Sequence, residues 1–418
     1  MQHIIGRVLN NQNTFSFLSG SLHLILSRIS LAASGVLFWW IAAKCYSVED
    51  IGLGAVLISA TSLLLFLSSL GITPAVIRFL PQDEDKGRLI GTLFGFSFIL
   101  LIVFTAVFLG GIRFFLPKAT ILQTSYYPLI FFIFVLVMYI AGALDSLYIA
   151  FRTTHLVLLK NIVHYFLRVG ILLIFVSLGG FGIFSSNCTA AIAAIVISFI
   201  PFVRRFPIAR FKFAMDLALL KKLIPFSLAN FLNLVSLTLP GMVFPLIILS
   251  LFSQREAGLF YIPWMVFYVY CTILLAILDI FLRETSYGAG VHTLGRKAFS
   301  LIVLLALAGI LFFTLFGDKV LLLFKEDFSL HSFTILKILF SSLIFFVLNQ
   351  IYLTLKNIEK NIAAFGMMSG VIILGIIIFA FVFVPQKGSE GVALSWLCAN
   401  GVGTLFIGII SFFKRKAA

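Results

Sequence analysis

The chain has 418 residues, 61% of them hydrophobic and 11% charged, with a formal net charge of +15. Apolar runs of about 20 residues or more recur along its whole length, so it is a polytopic membrane protein, and no stretch between them is long enough to build a soluble domain. The basic residues sit between the apolar segments and form no continuous stripe, which excludes a nucleic-acid surface and leaves them the task of orienting helices.

The N-terminus is polar up to Thr14, and the first apolar stretch is too long for a signal-peptide core, so it reads as a retained helix. Spanning helices are predicted at roughly 15–43, 51–76, 89–112, 126–151, 156–178, 181–203, 223–250, 258–282, 298–317, 333–355, 361–384 and 389–413. The fold class is therefore all-α, with twelve transmembrane helices in two six-helix lobes. The N-terminal lobe spans 1–203, a cytoplasmic interfacial linker 204–222 and the C-terminal lobe 223–418. Twelve helices put both termini on one side. With the termini cytoplasmic, the inner segments carry 19 Lys and Arg residues against seven in the outer ones, which sets that orientation.

In helix one, Arg28 lies near the bilayer midplane, where an arginine costs about 3 kcal/mol and must face protein or water. His23, Ser27, Ser30 and Ser34 share another face by their helical spacing. Ser47 to Asp50 reads as a capping box that opens helix two. Asp145 in helix four lies about two turns before Arg152 and reads as an interface residue, with a coupling-ion site as the alternative. In helix five, Lys160, His164 and Arg168 recur every four residues, so one face presents three potential cations with no acid near them in sequence. Substrate binding is predicted at Arg28, Arg168, His164 and His23; the competing reading is structural, with backbone or local hydrogen bonds satisfying each. The segment from Arg204 to Phe226 alternates basic with apolar residues and reads as an interfacial helix on the cytoplasmic leaflet. Helix seven carries Pro240 near its middle, a position that predicts a bend. Ser253 to Glu256 is a second capping box, and Asp279 lies four residues before Arg283, the spacing of an ion pair, with a coupling-ion site as the alternative. Cys45, Cys188, Cys271 and Cys398 have no paired spacing, and no metal, cofactor or catalytic group is predicted.

The halves repeat. Ile29–Phe38 (ISLAASGVLF) aligns with Val235–Phe244 (VSLTLPGMVF), and Ser47–Leu53 with Ser253–Leu259 at the same offset. A similar offset sets Lys160, Asn161 and Ile162 on Lys360, Asn361 and Ile362, and Gly182–Ser186 on Gly391–Ser395. Repeated halves in a membrane protein point to a transporter with its site at the repeat interface. Opposite Arg28, His164 and Arg168 the second half has Leu234, Ala364 and Met368. The binding chemistry is thus expected to be cationic and to lie in the first half, with Lys160, which recurs, as an interfacial anchor.

The segment SVEDIGLGAVLISATSLLLFLSSLGITPAVIRFLP, Ser47 to Pro81, resembles the second helix and small-residue-rich exit of O-antigen-type lipid-linked oligosaccharide flippases. These form the polysaccharide-biosynthesis branch of the multidrug/oligosaccharidyl-lipid/polysaccharide exporter superfamily. FKFAMDLALLKKLIPFSLANFL, Phe211 to Leu232, resembles that branch's approach to helix seven. The resemblance implies a V-shaped pair of six-helix bundles around a cavity that opens alternately to the two sides. It implies flipping of a polyprenyl-diphosphate-linked oligosaccharide across the cytoplasmic (inner) membrane, with membrane lipids and a coupling ion, H+ or Na+, as partners, by a monomer. It carries over no catalytic residue and no cofactor. An ion-coupled multidrug exporter of the same superfamily is the alternative; cationic drugs would favour carboxylates at membrane depth, and the deep ionisable groups here are basic. A membrane enzyme would need a sizeable extramembrane loop with acidic residues, which the chain lacks.

Overall fold

The computed structural model describes residues 23, 26, 27, 30, 31, 33–124, 126–206, 214–286, 291–359 and 361–417. Arg28 and Lys360 lie outside these residues. Every regular element among them is helical. Nine of the helices are long and apolar enough to cross a membrane, and Ala33–Cys45 and Leu237–Leu251 are shorter apolar pieces.

The first half runs α1 (Ala33–Cys45), α2 (Val48–Ser69), α3 (Ile72–Phe79), α4 (Lys86–Gly110), the short α5 (Ile112–Phe115), α6 (Tyr127–Ala150), α7 (Thr154–Ile174) and α8 (Gly179–Arg205). The apolar run expected as one helix over 51–76 is broken between α2 and α3 by Leu70 and Gly71, both at positive φ (39° and 74°). Gly71 is required there because a side chain would collide with the Ser227 carbonyl oxygen, and glycine alone adopts that backbone without strain. The chain reverses between α6 and α7 through Arg152 at φ 56°, and the Thr153 amide returns to the Tyr148 carbonyl.

The second half runs α9 (Leu217–Leu251), α10 (Gln254–Ser286), α11 (Val291–Phe324), α12 (Glu326–Ser341), α13 (Leu343–Ile358) and α14 (Ile362–Ala417). Two expected stretches merge in α14, which turns at Gly388 (φ 57°, ψ −131°). The stretch over 333–355 divides at Ser342, whose hydroxyl bonds the Leu339 carbonyl. Helix α9 continues through Pro225, Pro240 and Pro245. Pro240 and Pro385 both line an apolar groove of about 450 Å³ between α9 and α14.

The described part of the segment from Arg204 to Phe226 is the end of α8, an extended stretch at Ala214–Asp216 and the start of α9. The extended stretch docks on the first turns of α4: the Thr92 hydroxyl donates to the Ala214 carbonyl and accepts from the Asp216 amide. The Asp216 carboxylate then accepts from the amides of Ala218 and Leu219, starting α9. Lys221 and Lys222 are exposed in the first turns of α9.

The chain forms two compact units, Met1–Cys45 with Thr61–Phe231, and Tyr46–Ala60 with Leu232–Ala418. The first turns of α2 thus belong with the second half, and the first turns of α9 with the first.

In the second unit, α2 and α10 cross at Gly52 and Gly258. A side chain on Gly52 would strike the Gln254 carbonyl, and one on Gly258 the Val48 carbonyl. Beside them Arg255 bonds Glu49 at 3.3 Å, 206 residues earlier, and Asp327 at 3.1 Å. Gly52 and Gly258, and likewise Glu49 and Arg255, are 206 residues apart, the offset that aligns the two halves in sequence. The first capping box closes at this crossing, and the second forms only its Ser253 half. Ser47 and Asp50 bond reciprocally, with Asp50 N to Ser47 Oγ at 3.1 Å; Ser253 caps Glu256 N, while the Glu256 carboxylate accepts from Ser389. The core of this unit is aromatic, with Trp264 against Phe244, Phe260, Phe267 and Trp396.

A cationic cluster in the first unit

Helix α7 packs against the first helix along every seventh residue. Thr154 Oγ1 lies 3.3 Å from His23 Nδ1, Asn161 Nδ2 donates to Ser27 Oγ at 2.8 Å, and Arg168 Nη2 donates to Ser34 Oγ at 3.1 Å. The polar stripe expected on helix one is therefore a helix-to-helix seam, and residues 154, 161 and 168 are its partners. Asn161 is buried, so the amide's desolvation is offset by the bond it makes.

Arg168 stands 14 residues beyond Thr154, about 21 Å along the helix axis. Its Nη1 donates to Asn187 Oδ1 on α8 at 3.3 Å, and its guanidinium carbon lies 4.9 Å from the Phe38 ring centre and 5.2 Å from that of Tyr165. Two oxygen acceptors and two π faces offset the cost of an arginine at this depth. Ser34 and Asn187 are neutral acceptors. His164 is buried, its Nε2 2.9 Å from the Asn187 carbonyl oxygen. Asn187 thus serves both His164 and Arg168. Sequence reasoning passed over it, although an asparagine after Ser185 and Ser186 in an apolar span was the available signal.

Lys160 corrects an expectation. It is not an interfacial anchor: it is 4% exposed, and its Nζ donates to the Ala141 carbonyl and to Asp145 Oδ2, each at 2.9 Å. The acid that sequence distance hid is delivered by the turn at Arg152 and Thr153, which folds α6 back on α7. Asp145 accordingly pairs with Lys160. His23, His164 and Arg168 thus fall within one helix group. Arg28 lies outside the described residues, as does the side chain of Arg283, the expected partner of Asp279.

The second half fills the equivalent positions with apolar groups. The sequence offsets set Ser34 on Pro240, Arg168 on Met368 and, by extension of the Gly182 to Gly391 match, Asn187 on Trp396. Where Gly35 leaves room beside the Arg168 guanidinium, Gly241 leaves room for the Trp264 indole. A cation cradle in one half thus corresponds to an aromatic core in the other.

Nine helices among the described residues are long and apolar enough to cross a membrane, and their arrangement can be compared with solved structures. The chain aligns over 96% of its length with the lipid II flippase MurJ in an inward closed conformation, which it covers to 87% at 14% identity and a TM-score of 0.75. It also aligns with a multidrug resistance MATE family transporter of the MOP superfamily in its inward-facing conformation, covering 96% of both chains at 16% identity and a TM-score of 0.64. The outward-facing conformation of such a transporter matches at 16% identity and a TM-score of 0.61, again with 96% of both chains covered. No curated protein matches the chain in sequence. Residues 17–278 match the family described as polysaccharide biosynthesis protein, and the chain belongs to that family. Its apolar helices make it a multi-pass membrane protein.

Proposed function

We propose that this protein flips a polyprenyl-diphosphate-linked oligosaccharide across the cytoplasmic membrane by alternating access. The observation that carries the reading is Arg168, a cation far along a spanning helix, bonded to Ser34 and Asn187 and lying over two aromatic rings. A diphosphate headgroup cannot enter hydrocarbon without such a countercharge, and the planar guanidinium can donate two parallel bonds to phosphate. Membership of a polysaccharide biosynthesis family supports the same substrate class. In this reading Arg168 and Arg28 contact the diphosphate, with His164 and His23 beside them, twelve spans form two repeated lobes and the protein works as a monomer. H+ or Na+ drives the cycle.

The test is complementation. Expression in a strain lacking its lipid-linked oligosaccharide flippase is expected to restore surface polysaccharide and to leave drug susceptibility unchanged. Lowered susceptibility to cationic drugs without restored polysaccharide would assign the chain to multidrug export instead.

Both termini are cytoplasmic in this proposal, because the Lys and Arg excess lies with them. Single cysteines replacing Lys212 and Lys414 are expected to react with a permeant maleimide and to resist an impermeant one added to intact cells. Labelling from outside at either position would reverse the orientation.

A further inference from the structure

The same backbone turn opens the last membrane-crossing stretch of each half, yet the two turns present different chemistry. Gly179 (φ 56°, ψ −142°) and Gly388 (φ 57°, ψ −131°) are 209 residues apart, the offset that sets Gly182 on Gly391. In the first half Gly180 and Phe181 follow, and Phe181 is buried with its ring 4.7 Å from that of Tyr127 and 5.7 Å from that of Phe184. In the second half Ser389 and Glu390 follow instead, and they line a polar pocket of about 290 Å³.

Part of that pocket is already fixed. Arg255 at the start of α10 bonds Glu49 and Asp327, and the Glu256 carboxylate accepts from Ser389. His331 of α12 and Lys387 and Glu390 of α14 complete the polar lining, and none of the three makes a hydrogen bond or ion pair among the described residues. The mixture of signs selects the ligand. A simple anion would face the Glu256 and Glu390 carboxylates, and a simple cation would face Arg255 and Lys387. A zwitterion needs an acidic pole and a basic one, whereas Arg255 adjoins Glu256 and Lys387 lies three residues before Glu390. No three His, Cys, Asp or Glu side chains among the described residues are grouped to hold a metal ion. A hydroxyl donates and accepts at once, so a ring bearing several of them satisfies carboxylate and ammonium together. Leu259 is the one apolar residue in the lining, and the volume is at the small end for a ligand site, which suits a single polar ring.

We propose that this pocket is a carbohydrate site that takes one sugar ring of the lipid-linked oligosaccharide, with Glu390 accepting from ring hydroxyls and Lys387 and His331 donating to them. The proposal rests on the flippase reading for the source of the sugar. The stretch after Gly388 is the last to cross the membrane, so with the C-terminus cytoplasmic, as proposed above, the pocket opens on the outer face. A site that meets the sugar only there favours the translocated substrate by its own differential affinity. Diphosphate chemistry then belongs to the first half and hydroxyl chemistry to the second.

The site itself is tested with free sugars. Saturation-transfer NMR of the full-length protein in phosphatidylcholine nanodiscs uses glucose, galactose, rhamnose, N-acetylglucosamine and N-acetylgalactosamine as separate probes. Transfer to at least one of them is expected, with affinity about tenfold lower in His331→Ala/Glu390→Gln. Transfer to none, or equal affinity in the variant, would overturn the site. Transfer to phosphoethanolamine and to no sugar would assign the pocket to a lipid headgroup and overturn the carbohydrate. The role in transport is tested with the same double variant, which is expected to reach normal abundance because neither side chain holds another residue. It should complement the flippase-deficient strain about tenfold less well than the unmodified chain. Full complementation would overturn that role. Failure of the flippase reading would appear differently, as an unmodified chain that does not complement yet still gives sugar transfer that the variant loses.

Discussion

Arg168→Ala is expected to abolish complementation of a flippase-deficient strain while leaving the protein in the membrane at near-normal abundance. A charge-assisted hydrogen bond to phosphate is worth about 1.5–3 kcal/mol, so losing it lowers substrate affinity by roughly one to two orders of magnitude. The fold loses less. Arg168 bonds Ser34 and Asn187, both neutral, at 3.1 and 3.3 Å, and truncation leaves those two groups to pair with water or with backbone. Ser34 already donates to the Leu31 carbonyl. Arg168→Lys keeps the charge but loses the fork and is expected to retain part of the activity. Arg28→Ala, proposed as the second diphosphate contact, is expected to behave in the same way, and the double alanine variant to be inactive. Full complementation by the double variant would remove both arginines from the site. A fall in abundance that matches the fall in surface polysaccharide would make Arg168 a structural residue of the α7 and α8 packing.

The helices and the polar face of helix one were legible because apolar length and 3.6-residue spacing are local properties. His23, Ser27 and Ser34 could be placed on one stripe from sequence alone. What that stripe touches depends on a helix about 130 residues away, which no local pattern encodes. The same limit explains Lys160: its acid is 15 residues earlier, beyond a turn closed by Arg152 at positive φ, and linear spacing gives no sign of that fold-back. Asn187 was missed for a related reason. Its value comes from standing between His164 and Arg168, and only the packing of α8 on α7 brings those three together. The breaks at Gly71 and Ser342 likewise follow from close packing, as an apolar run continues through both. By contrast, the asymmetry between halves was visible at the level of residue type, and the structure adds its physical form, with arginine, asparagine and serine in one half against methionine, tryptophan and proline in the other.

Substituting either glycine of the α2–α10 crossing is expected to separate the two helices. In an isolated helix Gly→Ala would be favourable by up to about 1 kcal/mol. Here a Cβ on Gly52 would fall far inside contact distance of the Gln254 carbonyl oxygen and 2.7 Å from Gly258 N, and one on Gly258 would lie 3.1 Å from Gly52 N. These are backbone atoms, so no side chain can rotate away and the helices themselves must move apart. Inserting a side chain into a well-packed site costs about 1–3 kcal/mol, and backbone contact puts this case at or above that range. The Arg255 bonds to Glu49 and Asp327, and the Lys325 bond to the Tyr46 carbonyl at 3.4 Å, would stretch with the separation. These groups are partly exposed, so their ion pairs add little resistance and the glycines dominate. Cysteines replacing Glu49 and Arg255 should therefore be joined by a short bis-thiol reagent in an otherwise unmodified chain and lose that cross-link on addition of Gly52→Val or Gly258→Val. Both valine variants are also expected to lose complementation. Gly142→Ala is the matched control, since nothing lies within 4 Å of the position its Cβ would take, and it should cross-link and complement normally. Undiminished cross-linking in the valine variants would show that the crossing tolerates a side chain and that neither glycine holds it together.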